Sequence, residues 1–135
     1  MKNNLIGKKQ FTEKNQKDFA SISCDYNPIH VDPLMARRLI TGQRIVHGVN
    51  ILLTGLNFLF KKRVNFKFNK IKFVLFNPVY INEKIYFVRK IKNQNLIVSV
   101  KNNSIAFAEI ILEKTKQNHK TESYIRNGCL NKINR

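Results

Sequence analysis

Apolar and polar positions in the first half of the chain alternate with a helical period in two short stretches. Thr12 is a good N-cap and opens the first predicted helix. Pro28 disfavours a helical residue before it, so residues 24–31 are predicted as a loop. Asp32 and Pro33 then restart the helix as N-cap and first helical residue. The predicted inward-facing residues are Phe19, Ala20 and Ile22 in the first helix and Leu34, Met35 and Leu39 in the second.

A third segment, from His47 to about Phe60, is apolar on nearly all of its faces. A helix of this kind is buried rather than amphipathic, so we expect it at the centre of the fold. The longest apolar run, residues 45–60, is interrupted by His47, Asn50 and Asn57. It falls short of the ~18 consecutive apolar residues that a membrane span needs, so no membrane span is expected.

The second half of the chain has the two-residue period of β-strands. Residues 64–76 alternate in this way with a phase slip near Asn69, which indicates a bulge or a bend. The other predicted strands are residues 84–91, 96–100 and 105–112, which form an antiparallel meander, and an edge strand or ordered arm over residues 2–10. A sheet with one apolar face must bury that face, and the apolar helix is the obvious cover. The pattern therefore predicts an α+β domain.

The 135 residues suit a single compact domain, and a hydrophobic fraction of 43% is enough to build its core. Residues 1–115 carry this pattern, whereas residues 116–135 are polar and basic and are expected to form a loosely ordered tail. Cys24 and Cys129 show no zinc-ligand spacing and no disulfide framework, and the first ten residues hold no secretory hydrophobic region. A cytoplasmic location is therefore expected.

The formal net charge of +17 has three competing explanations. Nearly half of the residues are lysine, asparagine, isoleucine or phenylalanine, whose codons are rich in A and T, so genome composition comes first. An anionic small ligand or an acidic protein comes second. Nucleic acid comes third, because the sequence has no RNA-binding aromatic motif, zinc finger or glycine-rich phosphate loop. No specific nucleic-acid partner is therefore expected.

The densest polar stretch is residues 25–32, between the two short predicted helices. Asp25 and His30 lie five residues apart across a turn that Pro28 stiffens, so their side chains can converge on one point. A carboxylate and an imidazole in this arrangement can position a water molecule and move protons at neutral pH. From these residues alone, turn formation and helix capping remain the commoner explanation.

The same stretch resembles the hydratase 2 motif of the MaoC-like dehydratase family. The similarity rests on residues 19–30 with their Asp-x-Asn-Pro-x-His core, Ala36, Gly42, residues 45–48 (Ile-Val-His-Gly) and residues 76–80 (Phe-Asn-Pro-Val-Tyr). It spans roughly residues 1–115. The resemblance implies a hot-dog fold, in which a curved antiparallel sheet wraps a long central helix.

The resemblance also implies reversible hydration of a trans-2-enoyl thioester to an (R)-3-hydroxyacyl thioester, with the acyl group carried by coenzyme A or acyl carrier protein. By the family's pattern, Asp25 and His30 hold the water and exchange protons with it and with C2 of the substrate. Gly48 begins the central helix, where free N–H groups and the helix dipole suit a negative thioester oxygen. The resemblance implies a homodimer, and it implies neither a metal nor a redox cofactor.

Other residues near the motif have simpler interpretations. Asn27 and His47 are expected to brace the site, His47 by bonding a loop carbonyl. Tyr26 is expected to pack, and Asp32 to cap the helix that follows it. Solvation is the commoner case for the three arginines that remain candidate contacts for coenzyme A phosphates, Arg37, Arg38 and Arg44.

Three positions depart from the family's pattern. Cys24 stands where a glycine usually precedes the catalytic aspartate, and Asn82 replaces the glycine of a turn, where asparagine still tolerates a left-handed conformation. Leu56, with Thr54 and Asn57 nearby, stands where some members have a serine. These departures leave open a second function, a non-catalytic acyl-CoA-binding module. The positive net charge leaves open a third, nonspecific binding of nucleic acid.

Overall fold

A computed structural model describes residues 4–115 of the chain, which form five strands and four helices. In chain order these are β1 (Leu5–Gln10), α1 (Glu13–Ser23), α2 (Pro28–Val31), α3 (Pro33–Ala36), α4 (Gly48–Lys61), β2 (Lys70–Leu75), β3 (Lys84–Lys92), β4 (Asn95–Lys101) and β5 (Ala106–Glu113). The strand order in the sheet is β1-β3-β4-β5-β2, and all neighbouring strands are antiparallel. The α+β class is confirmed, and the arrangement is that of a hot-dog fold. The predicted tail, residues 116–135, lies outside the described residues.

The central helix α4 packs against one face of the sheet. Its residues at four-residue spacing, Ile51, Gly55 and Leu59, lie on one side and are buried. A Cβ atom on Gly55 would collide with Ile110 of β5 and come within 3.2 Å of Phe87 of β3. The helix therefore lies so close to the sheet that a methyl group at position 55 would require the Ile110 side chain to shift. None of the described helices is both long and apolar enough to cross a membrane.

The opposite face of α4 is not covered by the described part of the chain, so the prediction of burial on all sides is wrong. About half of each apolar side chain on this face is exposed, and the neighbouring edge strand β2 exposes apolar side chains as well. A Cβ on Gly48 would lie 3.8 Å from Leu75, which shows that the start of α4 lies beside β2. We call these exposed apolar residues of α4 and β2 the α4–β2 surface; they are Val49, Leu53, Phe60, Ile71 and Leu75.

The predicted meander of β3, β4 and β5 is confirmed. Asn93 and Gln94 form the two-residue turn between β3 and β4 with φ values of 51° and 64°, the left-handed conformation that such hairpin turns require. Alternate residues of the three strands point towards α4 and build the core. The most deeply buried of them are Ile85, Phe87, Val98, Val100, Ile110 and Leu112.

Only the end of the predicted strand over residues 64–76 joins the sheet. β2 begins at Lys70, and residues 64–69 form no strand. Their half-buried apolar side chains pack against the core from an irregular segment; they are Val64, Phe66 and Phe68. Such a segment needs the same alternation as a strand, because it also turns one side towards the core. The phase slip near Asn69 therefore marks the change from this irregular segment to the paired strand β2.

The short helical region corrects several predictions. Residues 28–31 form a one-turn helix rather than a loop, although Asn27 stays non-helical with ψ of 128°, as the following proline requires. Asp32 is confirmed as an N-cap, since its carboxylate accepts the N–H groups of Leu34 and Met35. The predicted inward positions that are in fact exposed are Ile22 (82%), Leu34 (69%), Met35 (43%) and Leu39 (40%). α3 is a single turn, so helical spacing does not extend along it; the residue that it buries is Ala36.

Candidate active site

A left-handed residue at the end of α1 directs Asp25 into the site. Cys24 has φ of 59° and ψ of 19°, a conformation that usually requires glycine, and its thiol is free and exposed. The Asp25 N–H donates to the Ser23 hydroxyl oxygen at 3.2 Å, and that hydroxyl donates to the Phe19 carbonyl at 2.7 Å. Cys24 therefore adopts the left-handed conformation at the end of α1 although it is not a glycine.

The loop between Asp25 and His30 is held by side-chain caps. The Asp25 carboxylate accepts the Asn27 N–H at 3.2 Å, and the Asn27 side-chain oxygen accepts the Ile29 N–H at 3.3 Å as the N-cap of α2. These two short-range bonds form successive turns that bring Asp25 and His30 to the same side of the loop. The Asn27 side chain thus contacts the loop backbone.

The backbone fixes which ring nitrogen of His30 carries a proton when the ring is neutral. Nδ1 lies 2.8 Å from the carbonyl oxygen of Ile45. A carbonyl oxygen only accepts, so Nδ1 must carry the hydrogen and Nε2 the lone pair. Nε2 faces the carboxylate of Asp25 at 3.9 Å, which is too long for a direct hydrogen bond. The His30 side chain is 14% exposed and that of Asp25 is 49% exposed.

His47 links the start of α4 to both of these residues. Its Nε2 donates to the Asp25 carbonyl at 3.1 Å, and its ring stacks on His30 with 4.0 Å between centroids and 25° between planes. Phe19 packs on the ring at 4.9 Å. His47 is buried, and this burial lowers its pKa below the usual 6.5. Nδ1 is therefore a bare, buried lone pair, and it has no hydrogen-bond partner among the described residues.

Gly48 is the first residue of α4, directly after His47. In the described part of the chain, the N–H groups of Gly48 and Val49 have no acceptor, whereas those of Asn50 and Ile51 donate to the His47 carbonyl. A Cβ at position 48 would lie 3.6 Å from Phe73, which is ordinary contact. Packing within the chain therefore does not require a glycine here.

Gln16 of α1 also contacts the site residues, although it is not among the candidates that the sequence motif identifies. This side chain is fully buried, and its amide nitrogen donates to the carbonyls of His30 at 3.0 Å and Ile45 at 2.9 Å. A signal was present, because residue 16 lies three and four positions before Phe19 and Ala20 and hence on the predicted inward face. A polar residue on that face of a helix calls for a partner in the interior.

Asp25, His30 and His47 are also the described group that comes nearest to a metal site. One potential ligand atom from each lies within 4.8 Å of the others. One nitrogen of each ring is already bonded to a backbone carbonyl: His30 Nδ1 to that of Ile45 and His47 Nε2 to that of Asp25. A tetrahedral metal needs converging ligands at about 2.0–2.2 Å. Asp25, His30 and His47 therefore offer one carboxylate oxygen and two ring nitrogens as potential ligand atoms.

The remaining candidates lie around this centre. Tyr26 is 61% exposed, so the predicted packing role is wrong for the single chain. Arg44 pairs with Glu13 at 3.4 Å and lines, with Arg37, an open cavity of about 290 Å³. The Thr54 hydroxyl donates to a carbonyl of its own helix at 2.7 Å and so is already engaged. Asn82 has a φ of 67°, the left-handed conformation predicted for it. Leu56 packs against the core.

A family model described as MaoC like domain matches residues 4–114. A search of curated proteins finds no match. Among solved structures, the fold is similar to the (R)-hydratase from A. caviae involved in PHA biosynthesis, with a TM-score of 0.59, 18% identity and coverage of 81% of this chain and 92% of that chain.

Two further structures show the range of proteins with this fold. One is the monoamine oxidase regulatory protein from Archaeoglobus fulgius, with a TM-score of 0.58, 23% identity and coverage of 82% of this chain and 87% of that chain. The other is the ChsH1–ChsH2 complex from Mycobacterium tuberculosis, with a TM-score of 0.64, 14% identity and coverage of 82% and 92%. At these identities the likeness shows the fold alone.

Proposed function

Because the chain belongs to the MaoC-like domain family, we propose that it catalyses the reversible hydration of trans-2-enoyl thioesters to (R)-3-hydroxyacyl thioesters. The observation that supports this proposal is the approach of two proton acceptors, the Asp25 carboxylate and His30 Nε2, to 3.9 Å. Both residues contact His47, which immediately precedes the N–H groups that begin α4. The (R)-hydratase with the same fold adds support.

In the proposed reaction, Asp25 and His30 share one water molecule. The 3.9 Å between Oδ2 and Nε2 suits a water that is hydrogen-bonded to both atoms. One of the two groups takes a proton as the water oxygen bonds to C3 of the substrate. The electrons of the C2–C3 double bond move onto C2 and the thioester oxygen, and the proton is then delivered to C2. The sum is addition of one water, with the pair restored.

The thioester oxygen carries negative charge in the transition state and needs a fixed donor. The N–H group of Gly48 is the proposed donor, because it is free and lies at the positive end of the α4 dipole. His47 is proposed to position this donor relative to Asp25, since it precedes Gly48 and bonds the Asp25 carbonyl. The proposed chemistry uses no metal and no redox cofactor.

The proposal is tested by adding crotonyl-CoA to the purified protein and following the loss of enoyl absorbance. Asp25→Asn keeps the shape of the side chain and is expected to lower kcat by roughly 10²–10⁴-fold, because it removes a proton acceptor. Asp18→Asn is the matched control, since the Asp18 side chain is 53% exposed and pairs with Lys14 on the outside of α1. Equal activity in Asp25→Asn and the wild type contradicts the role of Asp25.

The acyl carrier is proposed to be coenzyme A or acyl carrier protein. Both carriers are acidic, and the chain has a net charge of +17. The same enoyl and 3-hydroxyacyl groups on each carrier, compared by kcat/KM, distinguish the two. Chiral analysis of the hydration product is expected to give the (R)-alcohol. A cytoplasmic location, in which Cys24 stays a free thiol, agrees with such a substrate.

We further propose that two copies of the chain pair through the α4–β2 surface. This surface is apolar, and β2 is an unpaired edge of the described sheet, so a second copy can cover both features by a self-complementary contact. Light scattering is expected to give twice the 15.9 kDa of one chain. Leu53→Lys is expected to yield monomers, whereas Ile91→Lys, at a position that is 72% exposed outside this surface, is not.

The alternative function is a non-catalytic acyl-CoA-binding module. Two observations favour it: Leu56 packs in the core where some family members have a serine, and a regulatory protein shares the fold. Crotonyl-CoA that raises the melting temperature without being turned over supports this alternative. Salt-sensitive duplex binding without any effect of acyl-CoA supports the charge-driven alternative instead.

A further inference from the structure

Gln16 contributes a fully buried polar side chain to the layer directly behind the candidate active site. It comes from α1, whereas His30 comes from α2 and Ile45 from the segment before α4. Its amide nitrogen has two hydrogens, and it lies 3.0 Å from the His30 carbonyl and 2.9 Å from the Ile45 carbonyl. One side chain therefore joins the backbones of the two segments that hold the His30 ring.

The Ile45 carbonyl connects the Gln16 side chain to the His30 ring. Its oxygen accepts from Gln16 and also from Nδ1 of His30, at 2.8 Å, so both of its lone pairs are used. The Ile45 N–H donates to the Ile29 carbonyl at 3.0 Å, which ties the same residue to α2. The direction of this one carbonyl decides where the proton on the His30 ring is held.

The cost of burying Gln16 indicates that its amide group has a role. The side-chain oxygen is buried and has no hydrogen-bond partner among the described residues. A fully apolar side chain of similar length would avoid the free-energy cost of burying an unpaired polar oxygen. Gln10 makes a comparable bond to the Asn82 carbonyl at 2.9 Å, but it does so at the protein surface, where water can satisfy the rest of the amide.

We infer that Gln16 is a positioning residue for His30: it holds the Ile45 carbonyl so that the ring proton stays on Nδ1 and Nε2 remains the proton acceptor facing Asp25. The structural part of this inference stands on hydrogen bonds alone. Its consequence for rate rests on the proposed hydratase function.

The test replaces Gln16 by methionine, which has similar length and no N–H groups. Long-range ¹H–¹⁵N spectra report which nitrogen of a neutral histidine carries the proton, and a His30→Gln spectrum assigns the His30 signals. The wild type is expected to show only Nδ1–H for His30. Gln16→Met is expected to show a mixture of both tautomers. Gln10→Met is the matched control and is expected to keep the wild-type spectrum.

Turnover of crotonyl-CoA gives the second readout. Gln16→Met is expected to lower kcat by roughly 10–100-fold, because the acceptor nitrogen is no longer held towards the water. KM is expected to stay within about threefold, since no substrate contact is removed. At low pH, Gln16→Glu is expected to have a higher kcat than Gln16→Met at the same pH, because a protonated carboxyl donates one hydrogen bond. This advantage is expected to disappear as the pH rises and the carboxyl ionises.

The outcomes separate the two proposals. A wild-type protein that shows Nε2–H on His30 overturns the inference, and this result needs no variant to fold. A folded Gln16→Met or Gln16→Glu protein that has the wild-type tautomer and rate at every pH also overturns it. If the wild type turns over no enoyl thioester while the tautomer still responds to Gln16→Met, the positioning role holds and the proposed function fails.

Discussion

The core beneath α4 and the loop that carries Asp25 are held together by different kinds of contact. In the core, apolar side chains from α4, β3, β4 and β5 interlock, and most are fully buried. In the loop, backbone carbonyls and N–H groups are bound by polar side chains, among them His47 on the Asp25 carbonyl and Gln16 on two others. The core is thus specified by shape, and the site is specified by hydrogen-bond direction.

This difference predicts that stability and activity can be lost separately. A core substitution removes packing energy from the whole fold, whereas a site substitution changes the direction of a few polar groups.

Phe87→Ala is expected to lower the free energy of unfolding by about 3–5 kcal/mol. Phe87 is fully buried between α4 and the sheet, so its removal leaves a cavity. Denaturant titration measures the loss, and activity per folded molecule is expected to stay close to wild type. Phe76→Ala is the control, because Phe76 is 53% exposed and its loss is expected to cost less than about 1 kcal/mol. Equal losses contradict the placement of the core.

Replacing Gly55 and Gly48 of α4 by alanine, one at a time, compares the core with the site within one helix. Gly55→Ala is expected to cost about 1–2 kcal/mol of stability, because the new methyl group collides with Ile110 and crowds Phe87. Its kcat/KM is expected to change little. Denaturant titration and turnover of crotonyl-CoA are measured on the same samples.

Gly48→Ala is expected to behave in the opposite way. The methyl group has room in the chain, 3.6 Å from Phe73, so stability is expected to stay level or rise by up to about 0.5 kcal/mol. The methyl group stands beside the N–H that we propose for the thioester oxygen, so kcat/KM is expected to fall about 10-fold or more. A loss of stability without a loss of rate would contradict the role given to Gly48.

Acidification is expected to weaken the fold through His47. Burial lowers the pKa of this histidine below 6.5, so in the pH range just below 6.5 the unfolded chain binds a proton that the folded chain does not. The contribution of His47 is complete above pH 6.5 and declines as the pH falls towards the folded pKa, with a slope of at most about 1.4 kcal/mol per pH unit. His47→Phe, which keeps an aromatic ring, is expected to flatten this slope between pH 7 and pH 5. An unchanged slope contradicts the assignment to His47.

Cys24→Gly is expected to give the smallest change, a gain of about 0.5–1 kcal/mol in stability. The left-handed backbone at φ of 59° costs a residue with a Cβ more than it costs glycine. Thermal unfolding measures the gain, and Ser23→Gly, at the preceding helical residue, is expected to lose stability instead. A loss in Cys24→Gly shows that the cysteine side chain contributes more than its backbone costs.

The division between core and site also explains what the sequence could predict. Periodicity placed α4 and the meander well, because burial on one side requires apolar residues at fixed spacing. Periodicity failed for residues 64–69, because this irregular segment packs on the core with the same alternation of apolar and polar residues as a strand. It also failed for α3, because a helix of one turn is too short to show a row of apolar residues on one side. Ile22 has helical spacing but lies on the solvent side.

The motif identified Asp25, His30 and Gly48 as candidates, but it did not give the contacts that orient them. The tautomer of His30 depends on the Ile45 carbonyl, and that carbonyl depends on Gln16, which is 29 residues away in the chain. No local pattern contains such a contact. The stacking of His30 on His47 has the same origin, since it needs α2 and the start of α4 to meet in three dimensions.

A double-mutant cycle measures whether Asp25 and His30 act on one water molecule as a unit. The measurement is kcat for crotonyl-CoA in Asp25→Asn, in His30→Gln and in the protein with both changes. Residues that act as a unit are strongly non-additive, so the double variant is expected to be within about threefold of the slower single variant. A double variant whose loss equals the product of the two single losses, or a single variant with full activity, contradicts the claim.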